Sequence, residues 1–262
     1  ICELAKMKIA VCMKCVPADL GAGVDAKGGL KRTEANSRVN QADLMALQAA
    51  LRLKEELGAR VDVYSMGPAF AENMLREAIA LGADGAVLIC DKCLAGSDTQ
   101  VTAAVLAAAL GSDYDLVLCG ERTVDGETGQ VPGQISARLN ASLALGVVDI
   151  RSCENGVICL RPDERGEDEL KLSFPAVAGV SCGLRGALQE MRPRLEGMKR
   201  ARAANIPHLD AGALGFRWDE VGEAASPTKV RSVSRVNWAR ECVMAESLAD
   251  GVDISLEMIY GR

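Results

Sequence analysis

Short β-branched runs alternate with long Ala/Leu-rich segments over the first two thirds of this 262-residue chain, and that alternation limits the fold more than any other feature. The runs are KIAVCM (8–13), RVDVYSM (60–66), GAVLIC (85–90) and DLVLCG (115–120). Strands this far apart with helical patterns between them predict βαβ units around a parallel sheet. The first helix opens at Asn40, a good N-cap, has Asp43 in its first turn, repeats Leu44, Leu47 and Leu51 at helical spacing and stops at Gly58. The second covers about 69–81 and ends at Gly82. The third follows Ser97 and Asp98, either of which can cap it, and ends at Gly111. A fourth starts between Thr128 and Pro132, where a first-turn proline loses no hydrogen bond, and runs to Leu139.

After that helix the rhythm changes. Segments 143–151, 156–161 and 169–180 read as strands joined by turns such as ENG and DERGED, too short for crossover helices. They predict antiparallel edge strands on a doubly wound, mainly parallel α/β sheet spanning residues 1–185. From 186 to 238 the chain is rich in Arg, Gly and Pro, and 242–259 reads as a short amphipathic helix. Residues 186–262 are thus expected to form an extended arm that needs a surface to lie on.

Composition excludes several classes of function. Aromatic residues make up only 3%, too few for base-stacking platforms, and a net charge of −6 leaves no basic face for nucleic acid. No apolar stretch reaches the roughly 20 residues that span a bilayer, so no membrane insertion is expected. The opening ICELAKMKIAVC lacks the order of a secretory signal, so the chain reads as cytoplasmic, with Met7 as native start. Its 10 cysteines then read mostly as free, buried thiols.

Two Cys-x-x-Cys pairs, CMKC (12–15) and CDKC (90–93), invite a metal or thiol-redox reading. Zinc fingers and ribbons place their second pair within about 20 residues of the first, and here the gap is far longer. Structural cysteines are the favoured reading, with no metal site. GAGVDA (21–26) matches a dinucleotide fingerprint in letters but lacks the strand before it and the helix after it, and reads as a loop. A single histidine, His208, removes multi-imidazole sites and a Ser-His-Asp triad, so no catalytic residue is expected.

CGERTVDGETGQVPGQ (119–134) differs because it joins a core strand to a helix. Gly120, Gly126 and Gly129 permit tight turns, and amides from Thr128 to Val131 open a helix whose positive end suits a phosphate. Asp125 and Glu127 would repel phosphate if aimed at it, so ribose hydroxyls or loop amides suit them better. A surface turn that merely caps a helix is the alternative. SRVNQAD (37–43) and LAGSDT (94–99) lie on the same predicted sheet edge, and three such junctions together favour a mononucleotide cradle.

From Met7 onward the chain resembles the β subunit of electron transfer flavoproteins. The likeness rests on MKIAVCMKCVPAD, VNQADLMALQAALRLKEELGARVDVYSMGP (39–68), LREAIALGADGAVL (75–88), DLVLCGERTVDGETGQV (115–131), FPAVAGV (174–180) and SPTKVRSV (226–233). It implies a Rossmann-like domain and an arm wrapped around an α subunit that carries a second, redox-active FAD. It further implies a buried nucleotide in this chain, AMP in one type and FAD in the type that oxidises NADH and bifurcates electrons. By position the pocket would involve Cys12, Lys14, Asn40, Gln41, Asp43, Met66, Gly120, Arg122, Thr123, Val124, Asp125, Gly126, Thr128, Gly129, Gln130 and Val131. In the FAD type Ser97, Asp98 and Thr99 would join them, and LAGSDT with DGETGQV resembles that type more, favouring FAD over AMP.

Two departures stand out. The family usually has Gly-Pro where this chain has Pro132-Gly133, which would shift the helix start by a residue. Its partner-recognition stretch appears as LQEMRPRLEGMKRARAAN (188–205), where Arg192, Arg194 and Leu195 would dock an acyl-CoA or related dehydrogenase. A nucleotide-binding regulatory or adenylate-handling protein of related fold is the competing function.

Overall fold

The computed structural model describes residues 6–18, 33–186, 191–229 and 243–261, so GAGVDA lies outside the described residues. The chain opens with β1 (Lys8–Cys12), β2 (Cys15–Pro17) and β3 (Ser37–Val39). Then follow α1 (Gln41–Leu57), β4 (Arg60–Met66), α2 (Ala71–Leu81), β5 (Gly85–Ile89), α3 (Thr99–Leu110), β6 (Leu116–Gly120) and α4 (Val131–Leu139). Next come β7 (Ser142–Val147), β8 (Asp149–Cys153), β9 (Gly156–Asp163), β10 (Gly166–Ser173) and β11 (Ala176–Val180). After them lie α5 (Leu195–Ala203), β12 (His208–Leu209), α6 (Gly222–Ala225) and α7 (Leu248–Tyr260).

Contacts divide the chain into two units, residues 1–231 and 232–262. The first is built on a seven-stranded sheet, β12–β5–β4–β1–β6–β11–β7, with every pairing parallel. Strand β1 feeds both cores: Ile9 and Val11 face the α1 and α2 side, Ala10 and Cys12 the α3 and α4 side. Leu47, Leu53 and Leu75 are fully buried against it, and each contributes about 2 kcal/mol. The chain winds outward from β1 through β4 and β5, then returns to β6 on β1's other side. That reversal opens a crevice beyond the carboxyl ends of β1 and β6, where doubly wound folds bind ligands.

The α/β reading with a mainly parallel sheet holds, but its edges differ from expectation. Segment 143–151 is two strands and 169–180 is two more. Strands β7 and β11 pair in parallel inside the central sheet, while β8, β9 and β10 form a separate antiparallel sheet. Burial explains the division: every residue of β11 (AVAGV) is buried, as a strand covered on both faces requires, whereas most of β10 is exposed. Pro175, which cannot donate to a ladder, stands between them.

The second unit contains α7, capped by Ser247, whose hydroxyl accepts the Asp250 amide at 3.2 Å. Leu248, Val252, Leu256 and Ile259 form an exposed apolar stripe along it. Among the described residues no helix is long and apolar enough to cross a membrane.

Candidate nucleotide-loop site

At the β1/β6 crevice two loops leave the sheet side by side, and the first turn of α1 ties them together. Asn40 occupies the N-cap position, but its side chain accepts no backbone amide of α1. Its Nδ2 instead donates to the Arg122 carbonyl at 3.0 Å and to Asp43 Oδ1 at 2.9 Å, while its Oδ1 accepts the Val124 amide at 3.3 Å. Asp43 accepts the Lys14 amide at 2.7 Å and the Gly120 amide at 3.1 Å. Lys14 Nζ completes the clasp with an ion pair to Asp125 at 2.8 Å.

The centre of the clasp is buried, with Asn40 1% and Asp43 3% exposed, while Lys14 lies at its rim. Burial pushes Asp43 up to about 7, against the opposing pull of its bonds from Asn40, Lys14 and Gly120 and the charge of Lys14. Gly120 is required by contact: a Cβ there would lie 2.1 Å from Asp43 Oδ1 and 2.9 Å from Ala42. These residues spend their polar groups on one another, so the clasp shapes the loop from beneath.

The loop above it is open. Glu127 donates its amide to the Thr123 carbonyl at 2.8 Å and takes φ +46°, and Gly129 takes φ +62°. The amides of Gly126, Thr128, Gly129 and Gln130 have no partner among the described residues. Helix α4 starts at Val131 with Pro132 in its first turn and without a side-chain cap. Gln134 Nε2 reaches Thr99 Oγ1 at 3.4 Å, and its buried Oε1 has no partner among the described residues. Unpaired amides at a helix start are the donor set that a phosphate takes.

The LAGSDT turn is built differently. Ser97 donates to the Leu94 carbonyl at 2.7 Å. One oxygen of Asp98 caps α3 through the Gln100 and Val101 amides, and the other accepts the amide and hydroxyl of Thr228. Ser226 accepts the Asp98 amide at 2.9 Å. Both predicted side chains are thus committed to holding the 226–228 segment and the turn, and Thr99 alone of the three faces α4. Gln41 stands exposed at the start of α1, and Met66 ends β4 packed against the second core. Gln134, Ser226 and Thr228 were not singled out by sequence reasoning, although each lies in a block that it quoted.

The two cysteine pairs are kept apart by a strand. Strand β4 lies between β1 and β5, and Cys12 sits in register beside Cys119 on β6. A hydrogen bond with Cys12, then burial, pushes the Cys119 thiol well up, so it stays protonated. Among the described residues no His/Cys/Asp/Glu group of metal-holding geometry occurs.

A family model for the electron transfer flavoprotein domain matches residues 28–214. The chain belongs to the electron transfer flavoprotein family. It is 34% identical over 237 residues to the electron transfer flavoprotein subunit beta of Megasphaera elsdenii, covering 87% of both chains. It is 36% identical over 232 residues to the caffeyl-CoA reductase–Etf complex subunit CarD of Acetobacterium woodii, covering 86% of both. The acryloyl-CoA reductase electron transfer subunit gamma of Anaerotignum propionicum is 33% identical over 233 residues, again with 86% of both covered.

In this flavoprotein-family chain the expected partner segment contains a helix. Leu195, 67% exposed, opens α5, and Arg192 and Arg194 are exposed just before it; residues 188–190 lie outside the described ones. The far face of α5 is fixed to α2. Gly197 lies so close that a Cβ would meet the Ala80 carbonyl oxygen at 2.1 Å. Arg76 donates to the carbonyls of Ala201 at 2.7 Å and Ala204 at 3.2 Å, closing the C-terminal end of α5. Glu72 holds Arg76 at 2.6 Å and meets His208 at 2.9 Å.

Proposed function

We propose that this chain is the β-type subunit of a heterodimeric electron transfer flavoprotein, binding a nucleotide at the β1/β6 crevice. The observation that carries this reading is the set of open amides at Gly126, Thr128, Gly129 and Gln130, held in shape by the Asn40–Asp43–Lys14 clasp at the sheet's reversal point. FAD is the favoured nucleotide and AMP the alternative. The orphaned Gln134 Oε1 beside Thr99 adds a polar position between the starts of α3 and α4, which suits the larger ligand.

The residues of the chain bind and orient. The amides of Gly126, Thr128, Gly129 and Gln130 and the start of α4 would hold phosphate oxygens; Arg122, Thr123, Val124 and Val131 would line the loop; Cys12, Gln41 and Met66 would flank it. When bound, a flavin supplies the acceptance and donation of electrons, and the protein supplies position and electrostatics. An α subunit carrying a second FAD would cover the apolar stripe of α7. Leu195, with Arg192 and Arg194, would dock an acyl-CoA or related dehydrogenase, and electrons would pass between that enzyme or NADH and the α-subunit flavin. Free cysteines among the described residues support a cytoplasmic setting.

The test is to coexpress the full chain with an electron transfer flavoprotein α subunit, release the ligands by heat and identify them by absorbance and chromatography. Two FAD per heterodimer supports the favoured form, and one FAD with one AMP supports the alternative. A heterodimer with no nucleotide beyond the α-subunit flavin overturns the reading.

A further inference from the structure

Resting on the nucleotide reading and deepening it, we propose that Asp43 is a positioning residue for that site: as a carboxylate it binds the Lys14 and Gly120 walls together, and a proton on it releases one wall.

The geometry gives Asp43 donors only. Oδ2 accepts the Lys14 backbone amide at 2.7 Å, and Oδ1 accepts the Gly120 backbone amide at 3.1 Å and the Asn40 side-chain Nδ2 at 2.9 Å. A protonated carboxyl carries an O–H that none of these N–H groups can accept, so one bond must be lost. Oδ2 serves a single donor and Oδ1 two, so the proton goes to Oδ2 and the Lys14 main chain is freed. Lys14 also holds Asp125, and the loop from Gly120 to Asp125 loosens with it.

The charged and titratable groups facing Asp43 are Lys14 after β1, Cys119 on β6 and Cys182 after β11. Both thiols are pushed up, Cys119 by its bond with Cys12 and by burial, Cys182 by burial, and stay neutral. Asp43 itself, raised by burial to about 7, is the group that titrates near neutrality. If binding needs the carboxylate, a nucleotide bound below that pH expels one proton, and its dissociation constant rises about tenfold for each pH unit of acidification.

The experiment titrates FAD, and separately AMP, into the nucleotide-stripped full chain by calorimetry over roughly pH 5.5 to 8.5, in two buffers of different ionisation enthalpy. The FAD diphosphate does not titrate in this range, so a slope on FAD belongs to the protein; for AMP the difference from Asp43→Asn is read. Wild type should show the tenfold slope and release of about one proton, and Asp43→Asn should lose both. Asn40→Ala, which keeps the carboxylate, should bind about tenfold more weakly with the slope intact, so the proposal stays open to refutation even if Asp43→Asn does not fold. Tight binding with a flat wild-type profile, or a wild-type slope in Asp43→Asn, overturns it. Absence of binding by either nucleotide at every pH overturns instead the nucleotide reading beneath it.

Discussion

The crevice loop and helix α5 are held to the same unit by opposite means. The 120–131 loop is fixed from below by buried polar side chains, and it carries unpaired main-chain amides at Gly126, Thr128, Gly129 and Gln130. Helix α5 is fixed by main-chain contact at Gly197 and by the Arg76 bonds to its last carbonyls, and its outer surface is side chain, with Leu195 and Met198 exposed. Unpaired amides suit a small anion; exposed apolar side chains beside arginines suit a protein surface. The contrast teaches that rigidity and recognition are separated in both regions, so each can be broken without the other.

Breaking either foundation should give the largest effects. Gly120→Ala drives a methyl into the Asp43 carboxylate and should cost about 3 kcal/mol in urea unfolding and abolish nucleotide retention, while binding of the dehydrogenase by any folded fraction is unchanged. Gly197→Ala should cost about 2 kcal/mol, lift α5 from α2 and weaken dehydrogenase binding with nucleotide content intact. If each variant loses both properties in equal measure, the two regions are not separate devices.

Arg76→Ala removes the bonds to Ala201 and Ala204 and should cost about 1–2 kcal/mol, with proteolysis opening first at the end of α5. Asp43 gives a pH signature on stability whose sign is opposite to the one expected for nucleotide binding. Its folded value is raised to about 7, above the ordinary 3.8, so its contribution to stability is fully present below about 3.8 and is lost as pH rises through 7. Denaturant titrations should therefore show wild type losing stability relative to Asp43→Asn between about pH 4 and 7. The group that loses stability on ionising is the one whose ionised form holds the loop. Leu195→Ala should be smallest on stability, within about 0.5 kcal/mol, because that side chain is mostly exposed, yet it should reduce dehydrogenase binding measurably.

Much of the crevice was legible because local rules and the fold agree there. Gly58, Asp98 and Gly111 bound their helices as capping chemistry predicts, Asn40 marks the start of α1 without capping it, and the Gly120–Val131 junction lies where a core strand meets a helix. What Asn40 does with its side chain was not legible, since its partners at Arg122 and Val124 are distant in sequence and are met only after the sheet closes. The division of 143–151 and 169–180 was hidden for the same reason: both halves of each segment suit a strand, and pairing partners decide which sheet each joins. Helix α5 escaped notice because LEGMKRARA is strongly polar and its two large apolar residues, Leu195 and Met198, are exposed; its stability comes from α2 through Gly197, Ala201 and Arg76.

Hydrogen–deuterium exchange of the full chain, with and without added FAD or AMP, tests the central claim most directly. The account predicts that the nucleotide slows exchange in peptides covering 120–131 and the Lys14 segment, and leaves α5 unchanged. Protection centred elsewhere, or none at 120–131 under saturating nucleotide, would contradict it.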